Sequence, residues 1–477
     1  MNGADAFLPL PPLLLGSLIA AAAIAYLTRY WERLTALLGM AVTGFWAVLL
    51  WQVDLREPLW ILPGIESVVD LAASYERLGF TLRLETGALP ILTLFFFLTA
   101  VGCVLTAGVS QGRSFVPFAL VLVAGYSIPA MLFSAPIPPA LLTPLLVALL
   151  VAASVFALQA GRLIPPGGPL HSLLPPILAF PLFLVAWWHV QLIPLNPQDN
   201  SAAAAAATLI SLGLVILMAP FPLHGAQPAT AQSAPPVVTT LLTLIYQLAV
   251  LYLLARVLVV FPFVPQEAPL ALWLTWFGLA TAMWGGLAAA GTSHAGRLWG
   301  YTALHDWGLI LMVLAAPGSR GWALVLFLFG LRVVSMLTAA AGLAALEERS
   351  GGQTIDRLQG AGNRLPWNSA AYLLGGLGLA GFPLSAGFTG HWAALQIVAE
   401  TDWRPAAVVL LASGGAIFGY IRMARALFGP SPARGLSREH PVAALLAVVV
   451  LLLSVGLALI PQLMDLPVNR ALAAFGQ

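Results

Sequence analysis

Seven polar side chains stand inside long apolar runs of this 477-residue chain: His224, Gln247, Arg256, His305, Asp306, Arg332 and His391. Histidine titrates near neutral pH, so His224 and His391 are candidates to take up and release a proton. A neutral ring bonded to a backbone carbonyl is the other role open to each. His305 and Asp306 are adjacent and suit a polar pair near the start of a helix, with a structural role. Arginine does not release its proton in proteins, so Arg256 and Arg332 can supply only fixed charge. Arg256 is expected to snorkel to an interface. Arg332 lies deeper and needs a carbonyl or carboxylate partner, and Gln247 is expected to bond a neighbouring helix. Other chemistry is excluded. The single cysteine, Cys103, rules out a disulfide framework or an iron–sulfur cluster. No glycine-rich phosphate loop follows a strand, so flavin and nicotinamide are not expected on this chain. A net charge of +2 gives no reason to expect nucleic acid.

The elements that position these groups follow from composition. Apolar residues make up 60% of the chain and charged residues 8%, where soluble domains carry roughly a quarter charged. A membrane-spanning helix needs about 20 mostly apolar residues. The pattern predicts an all-α polytopic membrane protein of about fourteen spans: 9–28, 36–53, 87–109, 115–134, 140–160, 173–193, 203–221, 236–262, 269–290, 297–316, 321–346, 370–397, 405–428 and 441–462. All 20 basic residues are arginine, and their placement orients the chain. Arg29, Arg33, Arg113, Arg162, Arg297, Arg349, Arg357, Arg364, Arg422, Arg425, Arg434 and Arg438 fall on one side. Arg56, Arg77, Arg83, Arg320, Arg404 and Arg470 fall on the other. The richer side is cytoplasmic, which puts both termini on the outer, periplasmic side of a cell (inner) membrane. The acid-rich stretch 54–86, with Asp54, Glu57, Glu66, Asp70, Glu76 and Glu85, suits that outer face. No basic region precedes the first apolar run, so a cleaved signal peptide is not expected.

Two of the predicted spans carry their own interruptions. One ends in Ala219-Pro220-Phe221-Pro222-Leu223-His224-Gly225, with Pro228, Pro235 and Pro236 following. The other holds Gly381-Phe382-Pro383-Leu384-Ser385-Ala386-Gly387-Phe388-Thr389-Gly390-His391. Proline removes a backbone donor and clashes with the preceding turn. Matching interruptions in two halves are the usual mark of inverted repeats around an ion path. Ordinary helix kinks are the alternative. Spans seven and twelve are five apart, so the two units would run in opposite directions. A single membrane domain, 1–477, is therefore expected, made of an N-terminal three-helix part (1–110), a first repeat (115–262, spans 4–8), a second repeat (269–428, spans 9–13), and a last helix and tail (441–477).

These segments resemble the antiporter-like membrane subunits of respiratory complex I, shared with multi-subunit cation/proton antiporters and membrane-bound hydrogenases. Four stretches carry the resemblance: Pro222-Leu223-His224 through Pro228 to Ala234-Pro235-Pro236-Val237; Tyr252-Leu253-Leu254-Ala255-Arg256; Arg297-Leu298-Trp299-Gly300-Tyr301 through Gly308; and Leu379-Ala380-Gly381-Phe382-Pro383 through Gly390. The length is nearest the N-type subunit of the NADH-quinone oxidoreductase, without the long C-terminal arm helix of the L type. The resemblance implies a buried glutamate in span five and lysines in spans seven, eight and twelve. Here those positions hold the apolar Val147 and Ala148, Leu217, Gln247 and His391. Ala229 stands where an aspartate is expected after Pro228.

The resemblance therefore implies a non-catalytic membrane-arm subunit of a complex I-like NADH/quinone oxidoreductase or related ion-translocating complex. Most of its proton relay is lost, and His391 remains as the titratable station. Partners would be other membrane subunits, homologous antiporter-like ones among them, and the lipid bilayer. Flavin, iron–sulfur clusters and quinone would belong to partner chains. Two other readings stay open: a subunit of a cation/proton antiporter or inorganic-carbon uptake complex, and a purely structural subunit. If the relay is lost, Leu217, Val147 and Ala148 should pack dry against apolar neighbours.

Overall fold

The computed structural model describes residues 8–53, 55, 59–60, 68–71, 73–77, 80–132, 146–153, 156, 167–195, 199–316, 319–430 and 438–475. Sixteen of the described helices organise the fold. The first eight are α1 (Leu10–Leu27), α2 (Glu32–Gln52), α3 (Leu89–Gly108), α4 (Phe115–Leu132), α5 (Leu174–Leu192), α6 (Ser201–Leu217), α7 (Ala226–Ser233) and α8 (Pro236–Val260). Then come α9 (Leu270–Gly291), α10 (Ala295–Leu314), α11 (Ser319–Ser350), α12 (Pro366–Leu379), α13 (Phe388–Thr401), α14 (Trp403–Leu427), α15 (Pro441–Leu459) and α16 (Asp465–Ala474). Among the described residues, ten helices are long and apolar enough to cross a membrane. Most of the expected fifth span lies outside the described residues, as do Asp54, Glu57 and Glu66.

One element departs from the all-α expectation. Leu8–Pro9, Val68–Asp70 and Leu59–Trp60 form a small three-stranded sheet, in that order, and Tyr75–Arg77 pairs antiparallel with Phe80–Leu82. The strands fall mainly in the acid-rich stretch, which is too polar to bury in hydrocarbon and too short of helix-forming runs to extend α2.

Helices that are apolar all round can be buried on every side. Side chains of α8 and α10 are buried nearly throughout, so these two helices form the centre of the molecule. α10 is not among the ten candidate spans, because Arg297, His305 and Asp306 lower its apolarity; protein rather than lipid surrounds it. α5 and α15 instead expose Leu178, Trp188, Leu445 and Leu452, as helices at a lipid or subunit boundary do. Without a hydrophobic force between helices in lipid, close packing relies on small residues. Gly278, Gly285 and Gly308 let the backbones of α9 and α10 touch: a Cβ on Gly278 would lie 2.8 Å from the Gly308 carbonyl.

Candidate functional site: a buried charge cluster between two broken helices

Both proline/glycine segments interrupt their helices. α6 stops at Leu217, and residues 218–225 hold only a short 3-10 turn, Leu223–Gly225, before α7. α12 stops at Leu379, and α13 resumes at Phe388. Backbone groups freed at membrane depth must find partners inside the protein. At the first break, side chains from three other helices supply them. The Tyr246 hydroxyl donates to the Leu217 carbonyl (2.6 Å), the Trp307 indole to the Met218 carbonyl (2.8 Å), and the Phe221 amide to the Thr281 hydroxyl (2.8 Å). At the second break, the chain turns on itself through Gly381, at φ +70°, whose amide donates to the Gly378 carbonyl. A Cβ there would come 2.6 Å from the His391 ring, so the turn and the close approach both require glycine.

The prolines divide into kinds. Pro222 and Pro383 lie within the breaks. Pro235 is the extended residue that caps α8. Pro228, expected to break a helix, sits instead in the first turn of α7, where a missing amide costs nothing.

Four of the seven polar candidates converge on one buried cluster. Arg332, on α11, is 1% exposed. It donates from one terminal nitrogen to the Asp306 carboxylate (2.5 Å) and the Ala303 carbonyl (2.7 Å), and from Nε to the Gln247 side-chain oxygen (3.0 Å). Its guanidinium carbon lies 5.7 Å from the centre of the Trp307 ring, within cation–π range. The second oxygen of Asp306 faces His391 Nε2 at 3.5 Å. That separation suits charge pairing but is too long for a good hydrogen bond, and the nitrogen has no hydrogen-bond partner among the described residues. His391 Nδ1 donates to the Gly387 carbonyl (3.1 Å). A continuous run thus joins the two breaks: Met218 carbonyl, Trp307, Arg332, Asp306, His391, Gly387 carbonyl.

His305 stacks on His391, with ring centres 6.2 Å apart, but its nitrogens are committed elsewhere. Nδ1 lies 2.8 Å from the Ala282 carbonyl and Nε2 2.8 Å from the Ser413 hydroxyl. A carbonyl only accepts, so Nδ1 donates, and a neutral ring then accepts from Ser413 at Nε2. His305 and Asp306 therefore do not pair with each other. Adjacent helical residues point about 100° apart, and both lie mid-way along α10 rather than near its start.

The other two candidates stand apart. His224 is half-buried and stacks on Phe221, with ring centres 5.2 Å apart. Arg256 lies near the C-terminal end of α8, 3.4 Å from Glu85, both partly exposed. Burial raises the Glu85 carboxyl above its ordinary range, while Arg256 and Arg83 pull it back.

The dry interior expected of spans five to eight is only partly found. Leu217 is fully buried, but Val147 is 45% exposed and faces outward. A cavity of about 60 Å³ lies between His224 and Gln247, lined also by Ser172, Thr230, Thr243 and Tyr246. It has room for a few waters and polar groups to hold them. Trp307, Thr281 and Ser413 carry no signal in the sequence that singles them out. A hydroxyl or indole inside an apolar run is a weak signal, because its partner lies 60 to 108 positions away and is unknown until the helices are packed.

The family described as NADH:quinone oxidoreductase/Mrp antiporter, TM, matches residues 182–419, which take in both breaks and the whole cluster. The chain belongs to this antiporter family. Subunit N of the NADH-quinone oxidoreductase of Geotalea uraniireducens is 27% identical over 267 residues, covering 54% of this chain and 56% of that protein. The Erythrobacter litoralis subunit N is 28% identical over 237 residues, covering 49% and 48%. The match thus spans about half the length of these relatives. Solved structures extend the fold over nearly the whole chain. A chain of the membrane-bound sulfane sulfur reductase, an archaeal respiratory membrane complex, superposes with a TM-score of 0.78, covering 98% of this chain and 97% of its own at 18% identity. A chain of the Mrp complex from a Dietzia species gives 0.74, with 97% of each covered at 17% identity. One from Thermus thermophilus respiratory complex I gives 0.72, with 96% and 98% covered at 17% identity. At such identities the likeness establishes the antiporter-family fold alone.

Proposed function

We propose that the chain is a membrane-arm subunit of a complex I-like oxidoreductase or a related ion-translocating complex, and that its own proton relay is interrupted. The observation that carries this is where the charges stop. The cluster of His391, Asp306 and Arg332 ends at Gln247, which can hydrogen-bond but cannot titrate. Beyond it stands Leu217, fully buried, where the resemblance implies a lysine. Arg332 does not replace that lysine, because a guanidinium keeps its proton. Its role is to pair with the Asp306 carboxylate and hold it in place.

The finer architecture belongs to the same proposal. Ten candidate spans, together with α10, the broken pairs α6/α7 and α12/α13, and the segment 140–160, make fourteen. Spans 4–8 and 9–13 form inverted repeats, and both termini face the periplasm. Lipid and homologous membrane subunits surround the chain, and flavin, iron–sulfur and quinone chemistry resides on partner subunits.

A second reading, a subunit of a cation/proton antiporter, draws on one observation, the buried carboxylate of Asp306, 3% exposed. Arg332 already occupies that carboxylate, and a cation would have to displace the guanidinium. The test is the proton-to-electron ratio of the reconstituted complex. His391→Gln keeps a hydrogen-bonding group, and the ratio is expected to stay unchanged. A lowered ratio in an intact complex would overturn the interrupted relay.

A further inference from the structure

Away from the charge cluster, a second cavity of about 570 Å³ opens between α2, α3, α11, α15 and the overlying α16. Its walls are apolar, among them Ala47, Phe97, Val334, Leu457 and Val468. The volume falls within the range of about 300–1,000 Å³ typical of ligand pockets. α16 lies against α3 and α11 and roofs the cavity, with Met464 and Ala471 in its lining. The helix is pinned at its far end by Phe475, fully buried between Tyr252 and Trp322, with ring centres 5.8 and 5.2 Å away.

The cavity has a polar end at the membrane surface. Arg470, exposed on α16, donates to the Trp51 carbonyl (3.0 Å), and its guanidinium lies 4.0 Å from the centre of the Trp51 ring. Trp51 itself lines the cavity. Thr93 also lines it, and its hydroxyl is buried without a hydrogen-bond partner among the described residues. A threonine in a helix commonly bonds the carbonyl four residues back, and Thr99 does so to Phe95. Thr93 makes no such bond in this structure.

We infer that this cavity holds one phospholipid as a resident ligand, with an acyl chain in the apolar space and the phosphate at Arg470. An apolar void open to the bilayer forfeits dispersion contacts unless hydrocarbon fills it. Hydrocarbon alone would exchange freely, since lipid tails are as apolar as leucine. Retention therefore depends on the head group, where a cation near the surface meets an anionic lipid. The tryptophan beside it is the residue type that anchors at that depth.

The experiment uses the full chain with its co-purifying subunits in nanodiscs, and phosphatidylglycerol carrying a photoactivatable diazirine on one acyl chain. Labelled peptides are read by mass spectrometry. Labelling of residues 326–334 and 463–471 is expected to exceed that of the exposed face of α5 around Leu178 and Trp188. Arg470→Gln should lower cavity labelling about fivefold, the effect of one surface cation, and leave α5 unchanged; Arg470→Lys should restore it. Val334→Trp should block the cavity with the surface charge intact. A diazirine fatty alcohol, which has no phosphate, should label the cavity equally in the parent chain and Arg470→Gln. Equal phospholipid labelling of cavity and α5, or indifference to Arg470→Gln, would mean ordinary boundary lipid and overturn the inference. Displacement of the probe by an isoprenoid quinone more readily than by unlabelled phosphatidylglycerol would overturn it as well.

Discussion

The two helix breaks solve one problem by different means. Around residues 218–225, freed backbone groups are met by neutral donors and acceptors: the Tyr246 hydroxyl, the Trp307 indole and the Thr281 hydroxyl. Around residues 380–387, the chain satisfies much of its own backbone, and its side chains carry charge into the protein instead, through His391 to Asp306 and Arg332. A break is therefore a way to bring polar atoms to membrane depth, and whether they can move a proton depends on which side chains line it. In this chain the first break carries one half-buried imidazole, His224, stacked on Phe221 and apart from any charged partner. The second has kept one titratable ring beside a fixed ion pair.

The sharpest way to break that comparison is to remove one charge. Arg332→Met leaves the buried Asp306 carboxylate without its arginine, with an expected loss of about 3–5 kcal/mol. Thermal unfolding in detergent, followed by tryptophan fluorescence, should show it. The double variant Arg332→Met/Asp306→Leu should recover at least half the loss, because removing both charges leaves neither stranded. No recovery would mean that Arg332 acts chiefly through Gln247 and the Ala303 carbonyl, so that the second break depends on neutral bonds as the first does.

A smaller effect should follow at the first break. Trp307→Phe keeps an aromatic face for Arg332 but leaves the Met218 carbonyl without its donor, at a cost of about 1–3 kcal/mol. The same unfolding measurement reads it. A cost equal to that of Arg332→Met would erase the distinction between the breaks.

The smallest effect tests whether depth, rather than charge pairing as such, sets the difference. Glu85 and Arg256 repeat the acid–arginine pair where water reaches both. Glu85→Gln should change stability by less than about 0.5 kcal/mol. The sign of its pH dependence follows from burial, which raises the folded-state pKa of Glu85. Its contribution favours the folded state at acidic pH and is lost as pH rises through that raised value. Glu85→Gln should remove this small decline on comparing unfolding at pH 4 and pH 7.

Much of the fold was legible because hydrocarbon is an unforgiving solvent. A run such as Leu89–Gly108 or Pro441–Leu459 has only one stable form across a bilayer, and composition alone declares it. The breaks at Pro222 and Pro383 were equally legible, since proline's missing donor acts locally. The small sheet between α2 and α3 was not, because its pairing joins Leu8 to Val69 across a long separation.

At the cluster the division is clearest. The sequence by itself determined that Arg332 needed a partner, that His391 alone among the implied stations could titrate, and that Leu217 and Gln247 could not. Those are properties of side-chain chemistry and need no coordinates. Only the tertiary structure decided that Asp306 serves Arg332 and His391 while His305, its neighbour, turns to Ala282 and Ser413. Successive side chains on one helix face different neighbours, and which neighbours those are depends on how α9, α11, α13 and α14 pack around α10.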